Sequence, residues 1–342
     1  MFYLLLLLFS LSMPTYGAGF SSDFYTNSEW VSADHPSIFF KSFESDFSKF
    51  PQKHFLPENL IPWSDSYWPR YKGGIAFNWQ KNIKTDIKKL KSLKQLLQMK
   101  QPELDALSPS EKYDILNGDY KYSFTKKILK QNPSGAARWH GICHGWAEAA
   151  INHTKILPKS FLNKDKIKVN FGYSDQNALI SYFYAKEKRG KVSFLGKRCR
   201  GRRGSMSCGG VNPGAFHIVL MNSIQRKMGF VADIDISSQV WNQPVFGYEY
   251  KIIGERTPSK QASNKAVTEY HIKTRLHYAL ESRSSWEPGK GLRSYDDLSY
   301  WIEVDQNAQI VGGSWISKNR IDFAWFRKKV PLNNKFSKFL ND

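Results

Sequence analysis

The chain has few cysteines, a deficit of acidic residues and, beyond its first eighteen residues, no long hydrophobic run. With 3 cysteines in 342 residues, it cannot be one of the disulfide-dense small secreted scaffolds. The missing hydrophobic run excludes a membrane-spanning protein. The 30 acidic residues are outnumbered by 50 lysines and arginines, which gives a net charge of +20. Such a charge favours anionic surroundings.

An export signal is predicted at the start of the chain. A leucine run from Leu4 to Leu8 is followed by small residues at Gly17 and Ala18, and this apolar core is too short to cross a bilayer. We expect residues 1–17 to be a signal peptide and the protein to be secreted or periplasmic. In that setting the anionic partner is a cell-surface polymer rather than a specific nucleic acid.

Export changes the meaning of the three cysteines. An odd number in an oxidising compartment leaves one thiol unpaired. Cys199 and Cys208 flank a loop rich in glycine and arginine, which is flexible enough to close on itself. We therefore predict a disulfide between Cys199 and Cys208, with Cys143 as the free thiol.

Cys143 also stands where a thiol becomes a nucleophile. It lies in the glycine- and tryptophan-rich run 138–146, directly before the small-residue stretch 147–151, and this places it in the first turn of a predicted helix. Backbone N–H groups there have no intrahelical partner and stabilise a thiolate. The pattern predicts a lowered thiol pKa, as acyl-transfer chemistry requires.

A nucleophilic cysteine needs a base and an acid to orient that base. His217 lies in the apolar run 215–221, which predicts a buried strand, and the next run, 230–236, has a period of two that puts Asp233 and Asp235 on one face. Either aspartate could receive the imidazole N–H. Each residue alone is more often part of a core, but the order Cys, His, acid is papain-like, and the combination favours catalysis.

The rest of the chain predicts an α+β layout. Residues 18–80 are irregular and proline-punctuated and form an N-terminal covering segment, while residues 81–131 are helical, with Ser108 as N-cap, Pro109 at the first helical position and Glu111 at the third. A helix is expected at 176–185. Residues 81–342 then combine a helical half with an antiparallel-sheet catalytic core, whose predicted strands are 169–173, 215–222, 229–236, 245–253, 267–278, 299–304 and 309–311.

Taken together, several segments resemble the elicitor-type transglutaminases, a family of secreted oomycete and bacterial enzymes. The segments that carry the resemblance are 62–69, 73–76, 107–114, 139–146, Asp175, His217, Asp233, 241–245, 311–316 and 322–325. They follow one another in the order expected for that family. One departure is Ser314, at a position where the resemblance implies an acidic residue before the tryptophan.

The resemblance implies a papain-like core and acyl transfer from a glutamine side chain to a lysine amine. Cys143 would be the nucleophile and His217 the base, and the resemblance selects Asp233 over Asp235 as the acid. Protein substrates carrying glutamine and lysine are the implied partners. No cofactor and no metal are implied.

Three alternatives remain open at this stage. The same triad serves a papain-like peptidase, an amidase or a deamidase, and a basic surface-binding protein without catalysis would use the loop 197–203. The spacing of His140, Cys143 and His144 would suit zinc on one helix face.

For an oxyanion hole, the backbone N–H of Cys143 is one donor, and Trp139 or His140 would supply the second.

Overall fold

An antiparallel sheet of eight strands is the centre of the fold in this computed structural model, which describes residues 31–187, 190–199, 209–235, 237–328 and 331–340. Its strands are β1 (Lys53–Phe55), β6 (Val192–Gly196), β7 (Phe230–Asp233), β8 (Asn242–Arg256), β9 (Thr268–Leu280), β10 (Leu292–Val304), β11 (Ile310–Trp315) and β12 (Phe323–Arg327). The order across the sheet is β11-β10-β9-β8-β7-β12-β6, and β1 also pairs with β8. Two small hairpins consist of β2 (Phe77–Asn78) with β3 (Ile83–Lys84) and β4 (Lys159–Leu162) with β5 (Lys168–Phe171).

Helices surround this sheet, so the predicted α+β class is confirmed. The helices are α1 (Leu93–Leu96), α2 (Gln101–Asp105), α3 (Pro109–Leu116), α4 (Ser123–Gln131), α5 (Cys143–Asn152), α6 (Tyr173–Tyr182), α7 (Pro213–Gln225) and α8 (Asn334–Ser337). The α6 helix continues into a π-helical turn, Phe183–Glu187. Within the described ranges, none of the helices is long and apolar enough to cross a membrane.

The start of α3 follows the sequence pattern. Ser108 is the N-cap, its Oγ accepting from the Glu111 backbone N–H at 3.4 Å, while Glu111 Oε2 accepts from the Ser108 N–H at 2.9 Å. Pro109 occupies the first helical position, where no donor is missed. The predicted helix start is therefore confirmed.

The predicted strand 215–222 is wrong, because these residues belong to α7. Asn212 caps that helix, since its Oδ1 accepts from the N–H groups of Gly214 and Ala215, and Pro213 is the first helical residue. Every residue from Pro213 to Ile224 is buried. A helix that is apolar on all sides has no polar face, so its period is invisible in the sequence and the run is easily mistaken for a strand.

The α5 and α7 helices lie on opposite faces of β7. Val231 packs in the core cluster that contains Trp146 of α5, whereas Ala232 packs in the cluster that contains Ile218 of α7. Successive side chains of a strand point to opposite faces of a sheet. Whatever α5 and α7 carry is therefore separated by the sheet.

The predicted covering segment contributes to both of these clusters. Phe47 and Phe50 join the cluster on the α7 side, and Trp63 and Trp68 join the cluster on the α5 side. Short 3-10 turns make up most of its regular structure, as an irregular segment predicts. The segment is thus a part of the core, and the predicted limits at residues 17 and 80 stay predictions.

Five of the later strand predictions correspond to observed strands, β7 to β11, and the predicted strand 169–173 corresponds to β5. Among the described residues, three strands of the large sheet were missed, namely β1, β6 and β12; of these, β6 and β12 pair with each other, and β12 also pairs with β7. The partners of β6 and β12 are distant in sequence, so no hairpin pattern in the sequence predicts these two strands. Both β6 and β12 border the region where Cys143 lies.

Candidate active site

The N-terminus of α5 is held in place by the segment that precedes β2. The N–H of Ile142 donates to the Tyr67 carbonyl at 2.8 Å, and the N–H of Arg70 donates to the His140 carbonyl at 2.8 Å. The tyrosine hydroxyl of Tyr67 also donates to the Arg138 carbonyl. Cys143 is the first residue of α5, so its predicted place in the first turn of a helix is confirmed.

The Cys143 thiol is free, and only 6% of the residue is exposed. Its Sγ lies 3.7 Å from Nδ2 of Asn242 and donates to the Val240 carbonyl at 3.8 Å. Burial raises the pKa of the thiol to about 11, the hydrogen bonds from Asn242 lower it, and the carboxyls of Glu281 and Asp233 raise it further. The predicted lowering of the thiol pKa is therefore wrong, because the loss of water on burial is the largest influence on the thiol.

Asp233 is the last residue of β7 and is fully buried. Its Oδ1 accepts from the backbone N–H groups of Trp241 at 2.8 Å and Asp235 at 3.2 Å, while Oδ2 has no hydrogen-bond partner among the described residues. Burial raises the pKa of this carboxyl to about 8, with the carboxyl of Asp322 adding to the shift. By strand alternation Asp233 shares a face with Val231, on the α5 side.

The period of two predicted that the two candidate acids, Asp233 and Asp235, share a strand face, and this prediction is wrong. The β7 strand ends at Asp233, and the chain then turns. Asp235 lies in that turn and accepts from the Ser237 N–H. The two carboxyls therefore have different surroundings, and of the two Asp233 is the one in electrostatic contact with Cys143.

His217 lies on α7 and is completely buried. Its Nδ1 shares a 2.9 Å hydrogen bond with the Tyr300 hydroxyl, which in turn bonds Thr274 Oγ1 at 2.7 Å, and its ring packs against Phe47 and Tyr250. Burial lowers the pKa of the imidazole to about 3. The structure brings Cys143 and Asp233 to one face of the sheet and leaves His217 on the other, so the predicted Cys–His pair is not formed by the described contacts.

A cavity of about 400 Å³ opens at the thiol. Trp139, His140, Asn242 and Trp325 contribute to its wall beside Cys143. The indole Nε1–H of Trp325 donates to Oδ1 of Asn242 at 2.8 Å. No sequence pattern predicted a role for Asn242 or Trp325, although both lie within the segments that carry the family resemblance.

The zinc alternative is not supported by the geometry. Among the described residues, no group of three or more histidines, cysteines, aspartates or glutamates is placed to hold a metal ion. Because α5 begins at Cys143, His140 precedes the helix and cannot share a helical face with His144. The backbone N–H of His140 donates to the Ala137 carbonyl at 3.0 Å, so it is also engaged and unsuited to an oxyanion hole.

Three further predictions fall wholly or partly on residues that are not described. Residues 200–208, which include Cys208 and part of the loop 197–203, lie outside the described ranges, so the Cys199–Cys208 disulfide and the role of the 197–203 loop stay predictions. Cys199 itself is buried, and its N–H donates to Oδ2 of Asp322 at 2.7 Å. The predicted signal peptide, residues 1–17, also lies outside the described part of the chain.

Comparison with known proteins defines the class to which this fold belongs. The structure superposes on the crystal structure of the GP42 transglutaminase from Phytophthora sojae with a TM-score of 0.68 and 22% sequence identity, over 90% of this chain and 93% of that one. At this identity the likeness shows the shared fold alone. No curated protein matches the chain.

The family follows from the sequence itself. Residues 118–339 match the family described as transglutaminase elicitor, a span that covers more than half of the chain. The chain belongs to the transglutaminase elicitor family.

Proposed function

We propose that the protein is an exported protein-glutamine γ-glutamyltransferase that forms an acyl-enzyme on Cys143 and transfers the acyl group to a primary amine. The observation that carries the proposal is a free thiol at the N-terminus of α5, faced by the Asn242 amide in a cavity. Membership of the transglutaminase elicitor family supports the same chemistry. A buried thiol with an amide donor beside it is suited to acyl transfer.

The first half-reaction breaks the C–N bond of a glutamine carboxamide. The sulfur of Cys143 adds to the carboxamide carbon, and the carbonyl electron pair moves to oxygen. The tetrahedral intermediate collapses to a thioester, and the nitrogen leaves as ammonia after it takes up the thiol proton. The second half-reaction is addition of an amine to the thioester, which restores the thiol and forms an isopeptide bond.

We assign the transfer of this proton, from the Cys143 thiol to the leaving nitrogen, to the carboxyl of Asp233. Burial raises the pKa of this carboxyl to about 8, and one carboxyl oxygen has no partner among the described residues, so the group can accept a proton and release it near neutral pH. The thiol pKa of about 11 makes such an acceptor necessary, because little thiolate forms without one. His217, to which the sequence assigned this step, packs on the far face of the sheet.

Transfer and hydrolysis share the acyl-enzyme and differ in the second nucleophile. Hydrolysis needs a water molecule at the thioester, and the burial of Cys143 and the indoles of Trp139 and Trp325 beside it disfavour water there. An amine on a long aliphatic stem, such as a lysine side chain, fits an apolar wall better than water does. This favours transfer over peptidase, amidase or deamidase activity.

The decisive experiment supplies both an acyl donor and an amine. Purified protein is incubated with a glutamine-rich protein and a fluorescent primary amine, and incorporation is followed on a denaturing gel, with released ammonia measured in parallel. We expect incorporation by the wild type and none by Cys143→Ala. Cys143→Ser, which keeps a hydroxyl of similar size, serves as the matched variant and should lose most of the activity, because a hydroxyl ionises far less readily than a thiol.

The outcomes separate the candidate functions. Ammonia release without incorporation would replace transfer by deamidation, and cleavage of the donor chain would assign a peptidase. Absence of both, in wild-type protein that unfolds cooperatively, would leave the non-catalytic surface-binding function. An active Cys143→Ala variant would contradict the proposed nucleophile.

Export and the identity of the substrates are part of the same proposal. The leucine-rich leader supports export, and protein glutamines and lysines are the expected substrates. The net charge of +20 supports attraction to an anionic cell-surface polymer. Binding to such a polymer that weakens steeply with added salt would support this part of the proposal.

A further inference from the structure

The side-chain amide of Asn242 has a defined orientation. An indole N–H can only donate, so the atom that lies 2.8 Å from Trp325 Nε1 must be the amide oxygen. The amide nitrogen is then on the opposite side, where it lies 3.7 Å from the Sγ of Cys143. Trp325 thus decides which end of the amide faces the thiol.

The backbone around this amide is also fixed. Asn242 is the first residue of β8 and pairs with Asp233, and Trp325 pairs with Val231 from the other side of β7. Both Asn242 and Trp325 are buried. A donor held in this way needs no reorganisation when charge develops in front of it.

A second N–H donor belongs to Cys143 itself. The first four N–H groups of an α-helix have no acceptor within the helix, and Cys143 is the first residue of α5. The positive end of the helix dipole adds to the field at this point. The backbone N–H of Cys143 and the Nδ2–H of Asn242 are therefore two donors next to Sγ, where attack on a carboxamide would develop an oxyanion.

We propose that Asn242 is a catalytic residue whose Nδ2–H donates to the oxyanion of the tetrahedral intermediate, together with the Cys143 N–H, and that Trp325 is the positioning residue that orients the amide. The inference rests on the proposed acyl-transfer function. Asn242 neither gains nor loses a proton in the step. Its hydrogen bond strengthens as the carbonyl electron pair moves to oxygen and loosens when the thioester forms.

A purely structural role for the amide predicts a different outcome, and the two roles can be separated at the thiol. Acylation by an activated ester passes through an oxyanion, whereas alkylation by chloroacetamide is a displacement at a saturated carbon and forms none. Loss of an oxyanion donor slows the first reaction and spares the second. Loss of support for the thiol slows both.

The first experiment compares Asn242→Ala and Asn242→Asp with the wild type. The burst of p-nitrophenol from a glutamyl-type p-nitrophenyl ester measures acylation, and the rate of chloroacetamide labelling measures the thiol. We expect the ratio of acylation rate to alkylation rate to fall about 100-fold in both variants. Asn222→Asp, which alters a buried asparagine of α7 remote from the thiol, is the matched control and should leave the ratio unchanged.

The second experiment tests Trp325. Trp325→Phe keeps the ring and removes the N–H, so the amide is free to turn, and we expect kcat for acyl transfer to fall about tenfold with KM nearly unchanged. Trp315→Phe removes a comparable indole hydrogen bond, to the Val211 carbonyl at 2.7 Å, away from the site. That control should leave both kinetic constants at wild-type values.

The results separate failure of this inference from failure of the proposed function. Wild type that gives no ester burst and binds no peptide aldehyde as a thiohemiacetal would overturn both. Wild type that acylates normally, with Asn242→Ala acylating at the same rate relative to alkylation, would overturn the donor role alone. Weaker aldehyde binding by Asn242→Ala, by about 100-fold, would support it independently of turnover.

Discussion

Gly141 lies so close to Tyr67 that a Cβ added to it would stand 2.4 Å from the Tyr67 carbonyl oxygen. That carbonyl accepts the N–H of Ile142, the residue directly before Cys143. Backbone contacts of this kind cannot yield without moving the chain. The glycine therefore fixes where α5 begins and where the thiol stands.

We expect Gly141→Ala to displace this segment, to cost about 1–3 kcal/mol of stability and to abolish most acyl transfer. Gly135→Ala is the matched control in the same loop, because a Cβ there meets nothing within 4 Å. Denaturant midpoints and amine incorporation measure the two effects. A fully active Gly141→Ala variant would mean that the thiol tolerates a shift of its helix.

The imidazole of His217 provides a direct test of the catalytic assignment. His217→Ala removes a buried ring that bonds Tyr300, so we expect a loss of about 2 kcal/mol or more in the free energy of unfolding. Because the ring and the thiol are on opposite faces of the sheet, the acylation rate per folded molecule should change little. A loss as deep as that of Cys143→Ala would instead make His217 the base, as the sequence predicts.

Asp233 should make stability fall with rising pH. Burial raises its pKa from the ordinary 3.8 to about 8, so between these values the folded protein keeps a proton that the unfolded chain has released. This group lowers stability across that window by up to about 1.4 kcal/mol per pH unit. Asp233→Asn removes the effect. Urea unfolding from about pH 5 to about pH 8 should show the free energy of unfolding of the variant rising relative to that of the wild type. Parallel stability curves would show that the carboxyl is ionised throughout.

The same carboxyl should shape the pH dependence of catalysis. If Asp233 accepts the thiol proton, it must first be ionised, so the acylation rate should rise with pH through about 8. Asp233→Asn should abolish this rise and slow acylation, whereas Asp235→Asn should change it little, because Asp235 lies in the turn beyond β7. Equal losses in the two variants would show that the choice between the acids was wrong.

The predicted disulfide can be checked by mass. Unreduced protein, denatured and alkylated, should take up one label, at Cys143, and its intact mass before labelling should lack two hydrogens. On the chain-entropy model, a bridge that closes the short loop from Cys199 to Cys208 stabilises the fold by about 2–3 kcal/mol. Labelling of all three cysteines without reductant would exclude the bridge.

The sequence predicted those elements of the fold that depend on residues next to one another in the chain. The N-cap of α3 depends on Ser108, Pro109 and Glu111 alone, and the start of α5 depends on small residues next to Cys143. The Asn-Pro pair before α7 was an equally local helix-start signal, with the asparagine as N-cap and Pro213 at the first helical position. It was overridden by an apolar run that a buried helix and a buried strand share.

The site was less accessible to sequence reasoning because its contacts are distant along the chain. Cys143 and Asn242 are 99 residues apart, and Asn242 and Trp325 are 83 apart. The thiol pKa was mispredicted for a related reason, since a helix N-terminus is visible in the sequence and the burial that opposes it is not. Which face of the sheet His217 occupies likewise depends on α7 as a whole.

The position of β12 makes the site a late product of synthesis. This strand lies between β7 and β6, both of which precede it in the chain, and it brings Trp325 to Asn242. Until the ribosome has passed residue 327, the strands β7 and β6 each lack their β12 partner, and the amide of Asn242 lacks the indole that orients it. Truncation before this point should therefore yield an inactive, aggregation-prone product even though Cys143, Asp233 and Asn242 are all present.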